Sequence, residues 1–108
     1  MSKVSSSGPM ALLAALPSEG ELILSRLRGV RTETRGDLEI HVGILADKEL
    51  LIAFSGLGKI NAATAASAIL SNFSVSRLWM WGSAGAYLAA GVDIDDVVLA
   101  SEEILGDQ

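Results

Sequence analysis

Apolar and polar positions along the chain sort into short compact runs and two helical patterns. Residues 10–16 form a compact apolar run. After Pro17-Ser18-Glu19, Leu22, Ile23 and Leu27 recur at helical spacing, which predicts strand, turn and helix in that order. Gly29 closes this helix, and residues 30–34 predict a short strand. Residues 37–44 and 49–54 are β-prone runs around Ala46-Asp47-Lys48, the pattern of an antiparallel hairpin. Residues 60–73 are alanine-rich, with Ile60, Ala63, Ser67 and Leu70 on one face, and predict a helix packed tightly on a sheet. The bulky run Leu78-Trp79-Met80-Trp81 predicts a buried central strand that stops at Gly82-Ser83-Ala84-Gly85. Beyond a polar loop over residues 91–96, residues 97–100 predict another buried strand. The order β-α-β-β-β-α-β-β implies an α/β protein with a mixed sheet.

Candidate chemistry sits where these runs end. A buried strand that gives way to small residues is how a sheet opens into a ligand crevice, and Gly82 and Gly85 allow close backbone approach beside the Ser83 hydroxyl. A plain strand-to-turn junction accounts for the same residues. Ser55-Gly56-Leu57-Gly58-Lys59 enters a helix and could meet an anion or sugar oxygens, but it is neither a Walker A loop nor a dinucleotide fingerprint. Glu19 fits ordinary helix-start chemistry, with a carboxylate near a helix N-terminus. His41, alone on an alternating strand with no neighbouring carboxylate, reads as an ordinary surface residue. The charged residues 101–108 read equally as a crevice edge or a solvated tail.

Composition narrows the classes. At 108 residues the chain is at most one domain and can bury about two thirds of its extended surface. Half of it is hydrophobic and mean hydropathy is +0.44. Arg26, Arg28, Lys59 and Arg77 interrupt every stretch that approaches the ~20 apolar residues of a membrane span. The apolar excess therefore points to strands covered on both faces, or to surface buried against another body. A net charge of −5 with dispersed basic residues argues against nucleic acid as a partner. Without cysteine, and with 1 histidine, the chain can build neither a disulfide nor a Cys/His metal site. Residues 1–9 lack the apolar core of a secretory signal and read as a disordered leader, with residues 10–108 the folded part and the cytoplasm the expected location.

Four segments taken in order resemble the nucleoside phosphorylase/nucleosidase superfamily across residues 11–107: Ala14-Ala15-Leu16-Pro17-Ser18-Glu19, Ser55-Gly56-Leu57-Gly58-Lys59-Ile60-Asn61-Ala62-Ala63, Gly82-Ser83-Ala84-Gly85 and Asp95-Asp96-Val97-Val98. The resemblance is closest to the hydrolytic branch, which includes methylthioadenosine/S-adenosylhomocysteine nucleosidase and futalosine hydrolase. It implies a three-layer α/β fold, with a mixed twisted sheet flanked by helices and apparently incomplete here. It also implies a small nucleoside substrate, no cofactor, and a homo-oligomer. By matching position, Glu19 becomes the catalytic group that positions and deprotonates the attacking water, which overrides its helix-start reading. Ser83, Ala84 and Gly85 become contacts to base or ribose, and Ala15 and Leu57 become pocket-lining residues, Leu57 toward the 5′ substituent.

Departures from the family pattern sharpen these expectations. The related phosphorylases carry arginine where this chain has Met80, and arginine in the first loop where it has Pro17-Ser18-Glu19. A phosphate nucleophile needs such cations, so water is the expected nucleophile. Ala86-Tyr87 and Glu102-Glu103 followed by Gly106-Asp107 favour futalosine as substrate, in menaquinone biosynthesis, over methylthioadenosine. Family members are considerably longer. Their Met-Glu pair that grips the ribose hydroxyls and their aspartate that protonates the departing base have no match here. A truncated, inactive fragment and a nucleotide-binding module without turnover are accordingly the alternatives from other classes.

Overall fold

The computed structural model describes residues 3–4 and 8–106. Of the stretch expected as a disordered leader, Lys3–Val4 (β1) pairs in parallel with Ser74–Val75 (β6). Residues 1, 2 and 5–7 lie outside the described residues, as does Asp107 of the tail pattern.

A five-stranded mixed sheet carries the fold. Its strands are Met10–Ala14 (β2), Arg28–Arg35 (β3), Leu38–Leu45 (β4), Lys48–Phe54 (β5) and Arg77–Met80 (β7), in spatial order β3-β4-β5-β2-β7. β3, β4 and β5 form an antiparallel meander, whereas β2 runs parallel to β5 on one side and to β7 on the other. β2 is the strand where the chain's path across the sheet reverses, and such a switch leaves a crevice outside the carboxyl ends of its strands.

Alternation along β2 divides the core. Ala11 and Leu13 face Ile40, Val42, Leu51 and Ala53 beneath the helix Lys59–Asn72 (α2), while Met10 and Leu12 face Leu50 and Ile52 beneath the short helix Glu21–Arg26 (α1). One helix on each face makes three layers, as expected. Both neighbours of β2 are strands, so its ladder is satisfied on both edges and its apolar run can be fully covered.

Four expectations are corrected. Residues 78–81 do not form a central buried strand: β7 is the sheet edge, with β2 on one side, and Met80 is 59% exposed. Residues 97–100 form no strand and are solvent-exposed, because no described strand lies beside them to pair their backbone. The buried face of α2 is Ala65 and Ile69, with Ala66 and Leu70 packed beside them. Ile60, Ala63 and Ser67 point outward, since alanine on every side leaves the choice of face to the largest side chain that fits the sheet. α1 ends at Arg26, and Gly29 lies inside β3 at φ +62°, where the register slips between Arg28 and Arg31. The β3–β4 hairpin was not expected. Its turn is Gly36-Asp37, with Gly36 at φ +60° as a primed two-residue turn requires. Among the described residues, no helix is long and apolar enough to cross a membrane.

Candidate active site

Three strands end at the same rim, and main-chain hydrogen bonds stitch their exits together. Ser55 N–H donates to Ala14 C=O and Gly56 N–H to Ala15 C=O, each at 2.9 Å, and Trp81 N–H donates to Leu13 C=O at 3.1 Å. The turns leaving β2, β5 and β7 are thereby held side by side, although they are far apart in sequence.

The turn after β2 is a single 3₁₀ turn, Pro17–Glu19, with proline at its first position. Proline presets φ there and lacks a donor the turn could not satisfy. Glu19 closes the turn twice: its N–H donates to Leu16 C=O, and its carboxylate Oε1 accepts from Leu16 N–H, both at 3.0 Å. The other oxygen, Oε2, reaches across to the turn after β7 and accepts from Ser83 N–H at 3.1 Å, with the Ser83 hydroxyl at 3.5 Å. Gly82 permits that approach, because a Cβ there would lie 3.2 Å from Oε2. The Leu16 bond above all, and then the Ser83 bond, hold the Glu19 carboxyl below its ordinary range, since both favour the ionised form.

The expected site residues separate into groups. Glu19 and Ser83 meet directly across 64 positions of sequence. Ala15 takes part through its carbonyl, which anchors Gly56. Leu57 stands 67% exposed in the turn between β5 and α2, where Gly56 and Gly58 adopt φ of +84° and +94°. Ala84 and Gly85 line a separate open recess of about 570 Å³ with Gly82, Leu88 and Val98. His41 lies within the sheet at 3.2 Å from the Thr32 hydroxyl, and the structure gives it no contact with this rim residue pair. Among the described residues there is no cluster of side chains suited to a metal ion.

Sequence reasoning gave Trp81 no role beyond its strand. Its indole N–H donates to the main-chain carbonyl of Glu19 at 2.9 Å. An aromatic side chain with a donor, placed immediately before the Gly82-Ser83 turn, was the available signal.

Comparison with known proteins follows the same outline. The sequence profile of the phosphorylase superfamily matches residues 9–107. A 5′-methylthioadenosine/S-adenosylhomocysteine nucleosidase from Maridesulfovibrio salexigens is 32% identical over 93 residues, 86% of this chain and 40% of that protein. The nucleosidase of the same name from S. pneumoniae, solved with the transition-state inhibitor MT-ImmA, superimposes with a TM-score of 0.74 at 28% identity, over 82% of this chain and 38% of the other. A futalosine hydrolase mutant of Helicobacter pylori superimposes with a TM-score of 0.60 at 20% identity, over 67% and 33% respectively, which is a likeness of fold. The chain thus spans about 40% of the length of the curated relative it matches.

Proposed function

The chain belongs to the phosphorylase superfamily, and on that premise we propose that it hydrolyses the N-glycosidic bond of a purine nucleoside, with Glu19 activating the water. The observation that carries the proposal is the Glu19 carboxylate, shared between Leu16 N–H and Ser83 N–H at the rim of three strand exits.

Its electrostatics suit that work. An ionised carboxylate offers about four lone-pair sites. Leu16 and the Ser83 amide and hydroxyl engage three of them, which leaves room for a water. As the C1′–N bond breaks, its electron pair departs with the base and positive charge develops on the ribosyl carbon. The water adds there, its O–H becomes strongly acidic, and Glu19 takes the proton. A carboxylate held ionised at neutral pH is a sufficient base at that stage, because the proton moves as the C–O bond forms. A phosphate nucleophile would meet the negative Glu19 instead, which favours hydrolysis over phosphorolysis.

For the substrate we place methylthioadenosine or S-adenosylhomocysteine first, supported by the name of the relative at 32% identity. Futalosine is the second reading, favoured by Ala86-Tyr87 and Glu102-Glu103. Ala15, Leu57, Ala84 and Gly85 are the proposed lining around the nucleoside. A homo-oligomer belongs to the same proposal: Val97, Leu99 and Ile104 are each more than two thirds exposed, an apolar surface that a second copy would cover.

The test is release of free base by the purified chain from methylthioadenosine and from futalosine in phosphate-free buffer. Adenine released from methylthioadenosine without phosphate is the expected result. Preference for futalosine would select the second reading. Release that requires phosphate, or none from either nucleoside, would overturn the proposal for this chain.

A further inference from the structure

Glu19 reaches Ser83 from a single 3₁₀ turn of three residues, and a turn so short has little stability of its own. Something outside the turn must fix its main chain before the carboxylate can be aimed. We infer that Trp81 is the positioning residue for Glu19: its indole N–H, donating to the Glu19 main-chain carbonyl, clamps the turn while Ser83, two residues further on, clamps the carboxylate. One short segment thus grips both ends of the same residue, the main chain at 2.9 Å and Oε2 at 3.1 Å.

The surroundings make Trp81 a firm support. Its own N–H is tied to Leu13 C=O in β2, so the indole is anchored to the sheet. Its ring meets the Phe54 ring edge-on, with centroids 6.5 Å apart and planes at 66°. Both rings close over Gly20, the residue after Glu19. A Cβ on Gly20 would fall 2.5 Å from Phe54 Cζ and 3.4 Å from Trp81 Cζ2. Glycine at position 20 therefore has a packing reason: the exits of β2, β5 and β7 lock together there through two aromatic side chains and a bare backbone. Trp79 lies two residues earlier, within β7, and borders the same apolar groove as Trp81, with Met10, Leu12 and Ile23. No hydrogen bond links it to the turn among those described, so it serves as the internal control.

The role of Trp81 in catalysis rests on the nucleosidase reading, but the clamp is measurable without turnover. Trp81→Phe keeps a ring and removes the donor, and Trp79→Phe changes an equivalent side chain nearby. The Glu19 carboxyl is titrated by NMR in the parent and both variants, with the Leu16 and Ser83 amides as reporters and the β4–β5 hairpin amides as a check on folding. The expected result is that Trp81→Phe moves the Glu19 midpoint up toward the ordinary carboxylate value and weakens the response of Ser83, while Trp79→Phe leaves both in place. An unchanged midpoint in Trp81→Phe, or an equal shift in Trp79→Phe, would overturn the inference.

Should Trp81→Phe not fold, Glu19→Gln decides, because coupling between the two residues is reciprocal. Against the parent at the same pH, the Trp81 indole should exchange faster in Glu19→Gln while that of Trp79 keeps its rate, and an unchanged Trp81 rate would overturn the clamp. Where the parent turns over methylthioadenosine, Trp81→Phe should lower kcat about tenfold with KM within about twofold, the signature of misplaced chemistry rather than lost binding. A parent without turnover would count against the nucleosidase reading alone, and the titration would still decide the clamp.

Discussion

Residues 10–80 and residues 82–106 are both supplied with aliphatic side chains, and they meet opposite fates. In the first region Leu13, Ile40, Ile52 and Ile69 are completely buried, whereas in the second Leu88, Ile94 and Val97 are more than nine-tenths exposed. Local hydropathy does not separate them. β2 is hydrogen-bonded on both edges and has a helix on each face, so Ala11, Leu13 and Ala14 are buried while Met10 and Leu12 are half-buried. Among the described residues, nothing pairs with residues 97–100 as a strand or covers them. A hydrophobic run becomes a core strand only where the topology brings something to both its faces and its edges.

The sharpest way to break this contrast is to delete equal side chains from the two regions. Leu13→Ala should destabilise the fold by about 2–5 kcal/mol, the range for a leucine lost from a close-packed core. Leu88→Ala should stay within about 0.5 kcal/mol, as exposed sites do. Urea unfolding of both variants reads the difference, and a Leu88→Ala cost approaching that of Leu13→Ala would place this second region in a packed environment and end the contrast. Next in size is Gly20→Ala, where the new methyl meets the Phe54 ring. Overpacking of this kind costs about 1–3 kcal/mol, and it should also pull Glu19 away from Ser83, visible as a shift of the Ser83 amide. A neutral Gly20→Ala would show that the rim is looser than its distances indicate.

Smaller effects come from the turns. Ala46 and Asp47 occupy the β4–β5 turn at φ +50° and +64°, a left-handed pair that asparagine and glycine adopt with less strain. Ala46→Asn with Asp47→Gly should stabilise the fold by about 0.5–1 kcal/mol. The Arg28–Asp47 ion pair that is lost spans 3.7 Å between exposed groups and contributes little. No gain in thermal midpoint would argue against strain at this turn. The smallest effect is the pH dependence of Glu19, a solvent-accessible group. Its folded-state carboxyl titrates below the unfolded value, so its contribution is present above the unfolded value and lost as pH falls through the folded one. The stability difference between parent and Glu19→Gln should therefore shrink on acidification, and a difference that grows would contradict the two N–H bonds to the carboxylate.

Much of residues 10–80 was legible because its signals are local. The alternation of residues 38–54 around a turn, and the unbroken alanine-rich stretch before Phe73, each point to one structure. The β3–β4 pairing was harder to see, since Arg28–Arg35 is a charged edge strand without an apolar face. The face of α2 was misread because alanines surround it. For the site, Glu19 and Ser83 were named from their motifs. The Trp81 contact with the Glu19 carbonyl joins positions 62 apart and has no periodic signature, so only the folded chain shows it.

Held between two strand exits, the Glu19 carboxylate is proposed to activate the attacking water. The most direct test is kcat/KM for adenine release from methylthioadenosine by the parent and by Glu19→Gln, which keeps the size of the side chain and removes its charge and basicity. A loss of about 10²–10⁴-fold is expected, the range for a general base, while the fold is retained. A Glu19→Gln enzyme within about threefold of the parent would contradict it and move the chemistry to another group.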